Sequence, residues 1–384
     1  MTLAGLIFTN INDSAVPELT KVRSMASVPF GCRYRLIDFT LSNMSNSGID
    51  NVGIVTHFNY QSLMDHVGNG KDWDLARRSA GIKILPPTTV NFLSSPTQTY
   101  SSRLEALASA KYFIERCPAD YIVLSDSDCI CNINYKKVAE EHVQSGADIT
   151  MVTKKIHRDD IDAYRNPYLI KTDDTGRIVD IMRNPTRERD FYNFGGDEIN
   201  ISMHIFVMKP VVLASILEEA RAKEYKNLYT DILLDGLANH NFRTYEFDGY
   251  YSVISSLASY FEKSMEMLNE DSRRALFGNK AKPIMTKVRN SSPSIYADEA
   301  QVKNSLIADG CVIEGTVENS ILFRGVKVGK GSVIKNSILL QNTSIDNGVT
   351  LNCVVSDKDV AISSGVMLSG HASMPFYIAK GKKI

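Results

Sequence analysis

Asp126 and Asp128 are the side chains of this sequence best suited to metal-assisted phosphoryl chemistry. They close the run Tyr121-Ile-Val-Leu-Ser-Asp-Ser-Asp128, whose apolar stretch reads as a strand. Side chains two apart on a strand face the same way, so the two carboxylates could share one divalent cation. A nucleoside triphosphate needs more than that. It needs backbone N–H groups that approach it closely, which glycines permit, and fixed cations to balance its charge. Residues 6–22 hold no glycine and no arginine, and Asp13 would set a negative charge in such a loop. Cations gather just beyond it, at Lys21, Arg23, Arg33 and Arg35, where they could grip a sugar bisphosphate or simply stand in solvent. Cys129-x-Cys131 lacks a second cysteine or histidine pair to complete a zinc set, so no metal is expected there.

The elements that must position these groups alternate strand and helix. Asn51–Thr56 and Asp148–Thr153 read as further apolar strands. Ser102-x-x-Glu105 forms a capping box for a helix running to about Arg116, and Asn134 and Gly146 bracket another. Asp173-Asp-Thr-Gly176 predicts a hairpin turn. Such alternation implies parallel strand–helix–strand units and an α/β, Rossmann-like domain with a mostly parallel sheet. With 43 Lys and Arg against 44 Asp and Glu, the chain has no global field to draw nucleic acid or an anionic membrane. No apolar run approaches the roughly 18 residues of a membrane span, and Met1–Phe8 reads as a first strand, so a cytoplasmic protein is expected. The six cysteines are then expected reduced and mostly buried.

Beyond a charged, proline-punctuated connector over 269–294, Asn304-Ser-Leu-Ile, Asn319-Ser-Ile-Leu, Asn336-Ser-Ile-Leu and Asn352-Cys-Val-Val recur with glycines between them. A spacing of about 15–18 residues suits one three-sided coil of a hexapeptide β-helix. Asparagine and glycine tolerate the positive φ of its corners. The expected organisation is therefore a nucleotidyltransferase-like domain over 1–268, a linker over 269–294 and a left-handed parallel β-helix over 295–384.

The nucleotidyltransferase assignment rests on a resemblance. Val28-Pro-Phe-Gly-Cys-Arg-Tyr-Arg-Leu-Ile-Asp-Phe-Thr-Leu-Ser-Asn43 closely resembles the segment after the phosphate-binding loop of the ADP-glucose pyrophosphorylases (glucose-1-phosphate adenylyltransferases). The similarity extends through Asn46-Ser-Gly-Ile49, Gly68-Asn-Gly-x-x-Trp-Asp-Leu75 and the coiled C-terminus, nearly the whole chain. In that family the block is preceded by GGxGTRL and RAKP; here Asn10, Ile11, Asp13 and Ala15 stand for the glycines and the arginine, and Met25 for the lysine. The family's first metal carboxylate falls on Asp128, but its second, in WxDVGT, falls on Val253. The lysine that meets the sugar phosphate becomes Asn184, beside Arg183. The SMGIY strand appears as Ser202-Met-His204-Ile-Phe206, and the aspartate of FGxDII is kept as Asp231.

Retention of the frame with loss of the catalytic residues is similar to the non-catalytic (GlgD-type) subunits of that family in bacterial glycogen synthesis. The resemblance implies a regulatory subunit, with no cofactor of its own, in a heterotetramer with a catalytic paralogue. Arg183, Ser202, His204 and Asp231 would be what is left of the sugar-phosphate pocket, and Lys21, Arg23, Arg33 and Arg35 would be candidate contacts for a sugar-phosphate effector. The alternative is an active nucleotidyltransferase that makes ADP-glucose from ATP and glucose 1-phosphate, with Mg²⁺ on rearranged ligands. A hexapeptide-repeat acyltransferase is disfavoured, because residues 296–370 contain no histidine to act as a base between coils.

Overall fold

The computed structural model describes residues 1–57, 59–77, 80–86, 102–164, 167–183, 185 and 187–384. Leu3–Phe8 (β1) is buried along its whole length, which requires cover on both faces, and it lies inside a nine-stranded sheet. Its side chains alternate: Leu3 and Ile7 enter one apolar core, Leu6 and Phe8 the other. On one side come Asn51–Val55 (β2) and Gly81–Leu85 (β3), and on the other Tyr121–Asp126 (β4), all parallel.

Ile149–His157 (β5), Tyr168–Thr172 (β6), Ile178–Arg183 (β7), Glu198–Met208 (β8) and Phe242–Glu246 (β9) complete the sheet. Its order is β7-β6-β8-β4-β1-β2-β3, with β5 paired to β8 and β9 to β5. β8 runs antiparallel to β4, β5 and β6, so the parallel centre ends there. The turn Asp173–Gly176 reverses the chain between β6 and β7, with Gly176 at φ 80°.

Helix Leu36–Asn46 (α1) takes in the second half of the Val28–Asn43 block and is buried from Leu36 through Met44. Helix Arg103–Ser109 (α2) starts where the capping box predicts, with the Glu105 N–H donating to Ser102 Oγ at 3.3 Å. It stops at Ala110, and a second short helix, Lys111–Glu115, takes up the rest of the expected span. Helix Tyr135–Ser145 (α3) runs from the Asn134 cap to Gly146 at φ 61°.

The region read as a linker opens with a helix, Glu270–Phe277 (α4), whose Leu276 is buried and whose Phe277 stacks on Tyr34 with centroids 5.0 Å apart. The chain then winds into three five-stranded parallel sheets, one per side of a β-helix of the left-handed hexapeptide type. Asn304, Asn319, Asn336 and Cys353 occupy equivalent corners at φ 44°, 46°, 45° and 51°. The fourth corner thus falls one residue later than the Asn-led repeat suggests. The ladder explains it: Lys335 pairs with Asn352, which leaves Cys353 to make the turn.

One side of this coil packs on the first domain. Ile321, Phe323, Ile338, Leu340 and Val355 share a core with Val16, Leu19, Met25, Phe30 and Phe39. Beside them the Arg23 guanidinium is buried against Asp357, with Nη2 2.8 and 2.9 Å from the two carboxylate oxygens. The Tyr377 hydroxyl closes the junction by donating to Asp357 at 3.0 Å and to the Glu18 carbonyl at 2.6 Å.

Candidate functional site

The segment after β1 folds onto itself. A turn of 3-10 helix at Asp13–Ala15 and one helical turn at Pro17–Thr20 replace the open loop that a triphosphate would need. Asp13 is the clasp. Its Oδ1 accepts the Met25 N–H at 2.7 Å and its Oδ2 accepts Asn10 Nδ2 at 2.6 Å. Burial pushes the Asp13 carboxyl up to about 6 against those two hydrogen bonds. Asn10 Oδ1 in turn accepts the His57 N–H at 2.9 Å. Met25 is buried in the core that joins the two domains, so the position offers no head group to a phosphate.

Asp126 ends β4 and Asp128 follows two residues on; both are buried. Each is already engaged from within the protein. Arg103, the first residue of α2, donates Nε to Asp126 Oδ1 at 3.0 Å and Nη2 to Asp126 Oδ2. Asn12 donates Nδ2 to Asp128 Oδ2 at 2.8 Å and lies 3.5 Å from Asp126 Oδ2. Burial, and then repulsion from Asp126, push the Asp128 carboxyl up to about 7. Burial disfavours the charge on Arg103, but its ion pair and hydrogen bonds to Asp126 outweigh that and hold it firmly protonated.

Tyr251–Ser252 pairs with Ile130–Cys131, and Val253, the next residue, is partly buried against the core. The frame of a metal site is therefore in place, but the residues in it do not fit Mg²⁺. That ion wants open oxygen lone pairs, and here the carboxylates face N–H donors, while the residue at position 253 is a valine. Among the described residues no group of three His, Cys, Asp or Glu is arranged to hold a metal.

The residues expected at a sugar phosphate are engaged as well. His204 sits in a bulge of β8 between Ser202 and Ile205 at φ 56°, a left-handed conformation that glycine adopts freely. A side chain there costs roughly 1–2 kcal/mol. Its Nδ1 bonds the Tyr229 hydroxyl at 2.5 Å, and the same hydroxyl lies 2.7 Å from Ser202 Oγ. Tyr229 stacks on Tyr168 with centroids 3.7 Å apart, and Arg183 stands over the Tyr168 ring at 5.4 Å. Burial, with Arg103 and Arg183 nearby, holds the His204 ring well below its usual pKa, hence neutral. Asp231 turns away to cap its own segment, accepting the Lys226 and Asn227 N–H groups at 2.8 and 2.9 Å. Asn184 lies outside the described residues.

The four sequence-clustered cations separate. Arg33 and Arg35 line a cleft between the first domain and the coils, joined there by Arg289, Arg324, Lys358 and His66. Lys21 is exposed outside it, and Arg23 is committed to Asp357. Arg35 is anchored by Nη1 to the Ser62 carbonyl at 2.6 Å, and Arg324 by Nε to Asp309 at 3.1 Å. Burial and the charges of Arg35 and Arg23 push the Lys358 amine down to about 7. Arg289, Arg324 and Lys358 are the members of the cleft that the sequence reading missed. Only the chain fold brings them together.

Comparison with known proteins places these features. The profile of the Nucleotidyl transferase family matches residues 16–270, and that of the GlmU-like C-terminal hexapeptide matches residues 292–372. The chain is 35% identical to the glycogen biosynthesis protein GlgD of Geobacillus stearothermophilus, over 86% of this chain and 82% of that one. It is 33% identical to the GlgD protein of Bacillus subtilis, over 87% and 82%. To the glucose-1-phosphate adenylyltransferase of Fusobacterium nucleatum it is 31% identical, over 86% and 84%.

Proposed function

The chain belongs to the nucleotidyltransferase family of the glucose-1-phosphate adenylyltransferases and GlgD proteins, and from that premise we propose that it is a regulatory partner subunit of glycogen biosynthesis with little activity of its own. The observation that carries this reading is the loop closed by Asp13. A carboxylate holds the Met25 N–H at 2.7 Å where a nucleotide would need free N–H groups and a cation. A triphosphate entering there would meet a fixed acidic side chain. The valine at position 253 and the imidazole of His204 support the same reading from the metal and sugar sides.

Its partner is a catalytic glucose-1-phosphate adenylyltransferase paralogue, joined to it in a heterotetramer whose rate or effector response it adjusts. The effector is an anion with more than one phosphate. Such a ligand suits the cleft where Arg33, Arg35, Arg289, Arg324 and Lys358 converge, with Asp309 paired to Arg324 and Asp38 to His66. No helix among the described residues is long and apolar enough to cross a membrane.

The test is synthesis of ADP-glucose by the purified chain, alone and mixed with the catalytic paralogue. Silence alone, together with a changed rate or effector response in the mixture, supports the proposal. Brisk turnover by the chain alone refutes it and favours an active enzyme on other ligands.

A further inference from the structure

We propose that Arg103 is a resident cation that takes the place of a divalent metal at Asp126 and Asp128. The argument starts from oxygen lone pairs. Two carboxylates two residues apart can bind a dication only if their lone pairs converge on open space, with oxygen ligands completing the shell at about 2.1 Å for Mg²⁺. Here a planar guanidinium meets Asp126 along both of its oxygens, the bidentate geometry in which Arg is strongest. The Asn12 amide bonds Asp128 Oδ2 at 2.8 Å and also points toward Asp126 Oδ2, at 3.5 Å. Three of the four carboxylate oxygens therefore face an N–H group.

Charge supports the same assignment. Asp126 and Asp128 are 2% and 5% exposed, and Arg103 is the only Arg, Lys or His among the described residues within ion-pair distance of either. A second cation beside that guanidinium would be repelled with little water to screen it. Arg103 also comes from the first residue of a helix held by the Ser102 cap, so its position is built into the fold. The inference does not depend on the partner-subunit reading, because its readout is metal binding and not catalysis.

The experiment is titration with Mn²⁺ alone, followed by electron paramagnetic resonance of the free ion, on the full chain and on Arg103→Ala, Arg103→Met and Arg103→Lys. The wild type and Arg103→Lys, which keep a cation, should show no Mn²⁺ site at this pair. Arg103→Ala or Arg103→Met should gain one site, at least tenfold tighter than any wild-type binding, and a second change, Asp128→Asn, should abolish it. If the wild type binds as tightly as the truncated variants, or if folded truncated variants gain nothing, the proposal fails. If truncation prevents folding, the wild type still decides. No rise in Tm with 10 mM Mn²⁺ (a concentration on the order of that needed to fill a weak carboxylate site) supports it, and a rise abolished by Asp128→Asn overturns it.

Discussion

Asp126→Asn and Asp128→Asn, substitutions two residues apart, should change stability in opposite directions. Asp126 balances the buried Arg103 guanidinium, whereas Asp128 faces only the amide of Asn12, which serves an asparagine equally well. Two carboxylates share one cation, so Asp128 carries the surplus charge. Its folded pKa of about 7 lies roughly 3 units above the unfolded value near 3.9. The folded state thus holds the Asp128 proton over a window where the unfolded chain has lost it. Stability falls as pH rises from about 4 to about 7 and stays lowered above that. Three units correspond to about 4 kcal/mol, and relaxation around the carboxylate should trim the gain from Asp128→Asn at pH 8 to about 2–4 kcal/mol. Near 2.1 cal/mol/K per residue for the entropy of unfolding, that is a rise in Tm on the order of 2.5–5 °C. Asp126→Asn strands a buried guanidinium and should cost about 3–5 kcal/mol. Urea unfolding of the three proteins between pH 5 and 8 measures all of this. A loss of stability in Asp128→Asn, or a slope between pH 6 and 8 unchanged from the wild type in that variant, would refute the charge accounting.

Three further outcomes follow from the same geometry. Lys358, at about 7 in the fold and near 10.4 when unfolded, binds fewer protons folded than unfolded across that window. Stability should therefore rise with pH there, Lys358→Met should flatten the rise, and phosphate should raise Tm more at pH 6.5 than at pH 8.5 in the wild type alone. Cys353 makes its corner at φ 51°, so Cys353→Asn should stabilise the protein by about 0.5–1 kcal/mol, read by chemical denaturation. Asp357→Asn, which leaves Arg23 buried without its counter-charge, should cost about 3–5 kcal/mol and split unfolding into separate transitions for sheet and coil, visible by calorimetry.

What could be read from the sequence was local. Periodicity, the Ser102 and Asn134 caps, the Asp173–Gly176 turn and the Asn-led repeat each concern neighbours along the chain, and all appear in the fold. What could not be read depends on contacts between distant residues. Arg103 lies 23 residues from Asp126, and as a lone arginine at a helix start it carries no signal of its partner. The basic cleft draws Arg33 and Arg35 from one domain, Arg324 and Lys358 from the coil and Arg289 from the connector, so its sequence trace is one pair of arginines. Arg23 shows the converse error. Adjacency grouped it with that pair, but the fold buries it against a carboxylate 334 residues away.

That separation also bears on the order of events during synthesis. Arg23 emerges beside the loop that Asp13 closes, but Asp357 lies 334 residues further along the chain, with Tyr377 beyond it. At ~5–20 residues per second, translation leaves this guanidinium waiting roughly 17–70 s for its partner. The surface around it, with Val16, Leu19 and Met25, stays without the coil that covers it for the same interval. A nascent first domain is therefore exposed there until those coils close over it, and a chain truncated within the coil would keep an open, adhesive face for chaperones to hold.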